Sequence, residues 1–177
     1  MACSLTTGRK VPCKSAVGGI QTIFFADYGT LGYPVIVAGE VTDFPYNPTW
    51  FQFDVKGASS LETAINSSRE NGTTFYESTL TMALTFQDKA TQEELKLIAH
   101  ARPHVAIEDY NGNYFIVGLE HGAEVNSGSI SSGAAMGDTS GYNLTIVAQE
   151  TAPPYFVTST VITDDASTVQ IDPTPAV

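Results

Sequence analysis

The chain has 177 residues, 42% of them hydrophobic, and a formal net charge of −11. That length suits one domain with appended arms and a sizeable core. Arg9, Lys10 and Lys14 account for three of the eight basic residues, leaving five against nineteen acids beyond position 14. Such a balance excludes a surface built to hold nucleic acid, which needs clustered Lys and Arg to neutralise phosphates.

Residues 1–19 read as an extended N-terminal arm ending in Gly18-Gly19. "IQTIFFADYG" (20–29) reads as a strand and "YPVIVAGEV" (33–41) as a second, with the proline-containing 43–49 as a loop. In "WFQFDVK" (50–56), Phe51, Phe53 and Val55 alternate with Gln52, Asp54 and Lys56, the period of a strand with one buried face.

The stretch 60–86 predicts a long hairpin around Asn71-Gly72, the pair that two-residue turns prefer because both central residues need positive φ. With Glu70 opposite Thr73, Leu61 faces Met82, Thr63 faces Leu80 and Ile65 faces Ser78, while Glu62 meets Thr81, Ala64 meets Thr79 and Asn66 meets Glu77. Leu61, Ile65, Leu80, Met82 and Leu84 then form a core face. Glu62, Asn66, Glu77, Thr79 and Thr81 form a wet one without Lys or Arg. A slip of one residue would exchange the faces.

"TQEELKLIAHAR" (91–102) predicts a helix capped by Thr91 with Glu94 in a capping box and stopped by Pro103, with Leu95, Ile98 and Ala99 as its apolar stripe. Residues 104–119 predict a second hairpin around Asn111-Gly112, apolar on both faces and therefore central. Residues 120–141, rich in Gly and Ser, read as a loop, and "YNLTIVAQE" (142–150) as a last alternating strand. Beyond Pro153-Pro154 the composition turns polar, and 158–177 reads as a flexible or partner-ordered arm. The expectation is a mainly β domain over 20–157, an antiparallel β-sandwich or open barrel of about six or seven strands with one flanking helix.

No constellation for catalysis emerges. The Gly-rich loop lacks the Gly-Lys-Ser/Thr ending of a phosphate loop, and no G-x-S-x-G, H-E-x-x-H or C-x-x-C occurs. Cys3 and Cys13 read as free thiols rather than a zinc site, since His100, His104 and His121 lie far away in sequence. No cofactor and no metal are expected. No stretch approaches the roughly 18–20 apolar residues of a membrane span, and the first residues lack a signal-peptide core. Production in a cytoplasm is the expectation.

The segments "MACSLTTGRKVPCKSAVGGIQTIFFADYG", "ETAINSSRENGTTFYESTLTMAL", "TQEELKLIAHARPHVAIEDYNGNYFIVGLEHG" and "GDTSGYNLTIVAQETAPPY" together resemble structural proteins of tailed bacteriophages. They look most like major tail tube proteins, especially of phages of Bacteroidetes-like hosts, over roughly residues 1–156. That resemblance implies a non-enzymatic virion protein whose subunits, six to a ring, join hairpins into one β-barrel around a channel. The rings stack into the tube through which genomic DNA leaves without being specifically bound. It implies homo-oligomerisation and contacts with tape-measure, baseplate or tail-tip, terminator and possibly sheath proteins, in a tail assembled in the host cytoplasm. Glu62, Asn66, Glu77, Thr79 and Thr81 would face the lumen, and Arg9, Lys10, Lys14, Asp138 and Tyr142 are candidates for contacts between rings. The tube of a related secretion system and a carbohydrate-binding β-sandwich of the virion are the competing expectations.

Overall fold

A computed structural model describes residues 7–10, 14–55 and 58–163. Cys3 and Cys13 lie outside them, so their pairing does too. The described chain is mainly β, with eleven strands in two sheets and two helices. One sheet has seven strands. It is formed by β1 (Ile20–Ala26), β2 (Val35–Val37), β3 (Glu40–Asp43), β4 (Phe51–Asp54), β7 (His104–Asp109), β8 (Tyr114–Val117) and β11 (Tyr155–Val157), in the order β2-β3-β11-β8-β7-β1-β4. The other has four, β5 (Ser60–Ser68), β6 (Thr73–Thr85), β9 (Glu124–Ser131) and β10 (Gly141–Glu150), in the order β5-β6-β10-β9.

The central strands of the large sheet are buried on both faces, which is why β1 and β7 read as nearly unbroken apolar runs. Ile23, Phe25, Val105 and Ile107 point toward the small sheet and meet Leu80, Met82, Leu144 and Ile146. On the opposite face Phe24, Ala106, Tyr114 and Ile116 pack under the 27–50 connection, against Leu31, Val41, Phe44 and Trp50. Two apolar layers thus sandwich one sheet.

Several expectations are corrected. Residues 33–41 fold as the hairpin β2–β3 rather than one strand, because Ala38 and Gly39 both take positive φ (53° and 88°) and turn the chain back. The long hairpin pairs Leu61 with Leu80, Glu62 with Thr79, Ala64 with Glu77 and Ile65 with Tyr76, two residues away from the predicted register. Its turn therefore holds four residues, 69–72, with Asn71 N–H donating to Ser68 Oγ. The observed register also brings hydroxyls together, Thr63 to Ser78 at 2.9 Å and Ser67 to Thr74 at 3.1 Å. Displacement by two leaves every side chain on its predicted face.

The helix α1 is Lys89–His100, starting ahead of the predicted 91. Asp88, extended at φ −129° and ψ 145°, accepts from the N–H groups of Ala90 and Thr91, so the cap is Asp88 and not Thr91. Leu95 and Ile98 are buried, whereas Ala99 is exposed. The predicted loop 120–141 contains β9, which pairs along β10 from Gly141 opposite Ser131 to Val147 opposite Glu124. All six residues of β9 after Glu124–Val125 are exposed, so backbone pairing rather than a buried face holds it. Gly141 is required where β10 begins, since a Cβ there would lie 2.0 Å from the Leu84 carbonyl oxygen.

The predicted arm beginning at 158 also starts too early. After β11, which runs antiparallel to β8 but parallel to β3, a short helix α2 (Ser159–Thr163) buries Val161 and Ile162 in the second apolar layer. The parallel pair breaks the all-antiparallel expectation. Residues 164–177 lie outside the described residues.

Candidate functional site

The outward face of the four-stranded sheet is built by alternation. Glu62 stands opposite Thr79, which stands opposite Val147, which stands opposite Glu124. The next rank is Ala64, Glu77 and Gln149, and on the other side Ser60, Thr81, Thr145 and Ser127. Gln149 Nε2 donates to Glu77 Oε2 at 2.7 Å, fixing one carboxylate across the strand pair. The four strands carry Glu62, Glu77, Glu124 and Glu150 and no Lys or Arg.

Cations stand at the margins of this sheet, and Arg69 is exposed in the turn at the end of the long hairpin. Arg102, just beyond α1, shares a shallow hollow with Glu77, Thr79 and Glu124. Its guanidinium is committed: Nε lies 3.2 Å from Glu124 Oε1, an Nη donates to the His121 carbonyl, and the group lies over the Tyr28 ring, 5.3 Å from its centre.

Glu62 is exposed, and Asn66, Glu77, Thr79 and Thr81 are half-buried, all five on this one face. Of the inward set, Leu80 and Met82 are 1% and 0% exposed, and Leu61 and Leu84 pack partly against the core. Ile65 departs from the expectation at 68% exposed. Facing away from solvent is a property of alternation; being covered needs a neighbour.

The predicted contact residues do not gather into one site. Arg9, Lys10 and Lys14 are exposed. Asp138 caps its own loop, and the N–H groups of Ala135 and Ala134 hold its carboxyl below the usual range. Tyr142 is no surface contact. It is 2% exposed, with its hydroxyl donating to the Asp88 carbonyl at 3.1 Å and tying β10 to the start of α1. Trp50 is fully buried, which removes it as a sugar platform.

Two groupings escaped the sequence because they join distant segments. Glu120, His121 and Glu150 bring three potential metal-ligand atoms within 4.8 Å of one another, with His121 Nδ1 3.2 Å from Glu150 Oε2 and 3.9 Å from Glu120 Oε2. The N–H groups of Glu120 and His121 both donate to the same Glu150 carboxylate, at 3.1 and 3.0 Å, so the backbone already holds that side chain in place. His104 is buried, with Nδ1 2.6 Å from the Gly118 carbonyl and Nε2 accepting from Gly29 N–H at 3.0 Å. No spacing in the sequence marks either.

No helix of the described residues is long and apolar enough to cross a membrane. Compared with known protein families, curated proteins and solved structures, the chain matches none.

Proposed function

We propose that this chain is the major tube subunit of a bacteriophage tail, a structural and non-enzymatic protein whose small sheet lines the channel. The observation that carries the reading is the four-stranded sheet itself. Among the described residues its outer strands, β5 and β9, are each paired on one edge alone, and its outward face holds carboxylates, amides and hydroxyls beside Val147 and Phe75, with no Lys or Arg on its strands. Open edges invite pairing with another copy, β5 of one subunit against β9 of the next, and closure into a barrel removes them. Six such sheets, at a strand spacing of ~4.8 Å and a tilt of ~40°, would close a barrel roughly 48 Å across its backbone. A duplex passes through such an opening. A wall whose strands carry no cations lets it pass, because they offer little to hold the phosphates.

Electron microscopy of the purified full chain at rising concentration tests this. Rings or tubes with a central channel are the expected outcome. Persistent monomers, even with isolated tail tips added as nuclei, would overturn it.

A further inference from the structure

The chain has two Asn-Gly pairs, Asn71-Gly72 between β5 and β6 and Asn111-Gly112 between β7 and β8. Asn followed by Gly is chemically labile in any flexible peptide, because glycine has no side chain to hinder its nitrogen from attacking the preceding side-chain amide. Their sequences are equivalent in this respect. Their surroundings are not.

At Asn111 every reacting atom is held. Its Nδ2 donates to the Val17 carbonyl at 2.7 Å and to Asp109 Oδ2 at 3.1 Å, and its Oδ1 accepts from Val17 N–H at 2.9 Å. The attacking nitrogen is occupied as well, since Gly112 N–H donates to the Asp109 carbonyl at 3.1 Å. At the other turn, the only hydrogen bond described for the pair is Asn71 N–H to Ser68 Oγ, at 3.3 Å. Among the described residues neither the Asn71 amide group nor Gly72 N–H has a partner. Both residues are exposed, and nothing lies within 4 Å of where a Gly72 Cβ would stand. The turn is free to swing the nitrogen toward the side chain.

We propose that Asn71 is a site of spontaneous deamidation in the folded protein, with water as co-reactant, and that Asn111 is protected from it. Gly72 N gives its proton to solvent base and bonds to Asn71 Cγ. The Cγ–Nδ2 bond breaks, and Nδ2 leaves as ammonia after taking a proton from solvent. Water then opens the resulting five-membered imide at either carbonyl, giving aspartate or isoaspartate with no change of oxidation state. Each event places a new carboxylate beside Glu70 at the hairpin tip. The proposal does not depend on the tube reading.

The folded full chain and the same chain in concentrated urea are incubated in mildly alkaline buffer, and the two Asn-Gly peptides are followed by mass spectrometry and isoaspartate methylation. In urea both should convert at similar rates. In the folded chain Asn71 should convert faster than Asn111 by about tenfold or more, a factor that the net worth of one or two of the four hydrogen bonds holding Asn111 and Gly112 already supplies. A folded-state ratio no larger than the ratio in urea, or no conversion of Asn71 in the folded chain while it proceeds in urea, overturns the proposal.

Discussion

Glu62 and Glu77 stand on the outward face of one hairpin, while Leu80 and Met82 stand on its other side in the core. Replacing both glutamates with Lys should cost thermal stability only modestly, about 0.5 kcal/mol or less at exposed Glu62 and about 1 kcal/mol at half-buried Glu77, which loses the hydrogen bond from Gln149. The assembled tube should then retain DNA, and release it as salt rises. Leu80→Lys should instead abolish folded protein, by burying a charge with no partner. Soluble folded Leu80→Lys together with unfolded double-Lys protein would reverse the faces. His104 makes a second test. Burial pushes its pKa below the usual 6.5, against the opposing pull of the Gly118 carbonyl and Glu150. Nδ1–H donates to Gly118, so protonation of Nε2 would set an N–H against the Gly29 N–H. The folded state thus binds this proton less readily than the unfolded chain. The stabilisation is complete above pH 6.5 and is lost as pH falls through the lowered folded value. The urea midpoint should drop across mildly acidic pH, and the drop should shrink in His104→Asn.

At the scale of elements, α1 separates a cap read from sequence from the one observed. Asp88→Ala should cost about 1 kcal/mol of stability, as loss of a capping side chain does, and Thr91→Ala much less. Urea melts of the two variants check it; the opposite order would restore Thr91. The capping box was a sound pattern, yet Asp88 is an equally good signal three residues earlier, and Asp outranks Thr as a cap. The alternation in β6 made the two faces of the long hairpin legible without fixing its turn. Asn-Gly favours a two-residue turn, but the hydroxyl pairs formed by Thr63 and Ser67 accompany a four-residue one. Period two forgives an error of two. The strand β9 was not legible, because Ser and Gly leave no apolar rhythm and its ladder to β10 is made by backbone. Likewise β2, β3 and α2 are too short to announce themselves. Of the candidate site, the outward set on β5 and β6 could be read from alternation. The half contributed by β9, and the commitment of Arg102 to Glu124, could not.

For the whole molecule, Ile65 is the residue whose environment should change most on assembly. It points to the core side of its sheet, yet lies 68% exposed on a strand paired along one edge only among the described residues. Ile65→Lys should leave the monomer folded, with stability altered by about 0.5 kcal/mol at most. If a second copy covers that edge, the same change should abolish rings and tubes in sedimentation and microscopy. Normal tubes from Ile65→Lys would mean that the end of β5 stays open to solvent.

The placement of β11 has a consequence in time. The hairpin β2–β3 reaches the rest of its sheet only through β11, and Thr158 Oγ1 bonds to Glu40 Oε1 across 118 positions of chain. During synthesis at ~5–20 residues per second, early strands wait on the order of 10 s for the strand that docks them. Throughout that interval Val41, Phe44 and Trp50 lack the cover that Val157, Val161 and Ile162 later provide. Until β11 arrives these three side chains go without that cover, and docking it closes a separation of 118 positions, whose entropic cost grows only slowly with length.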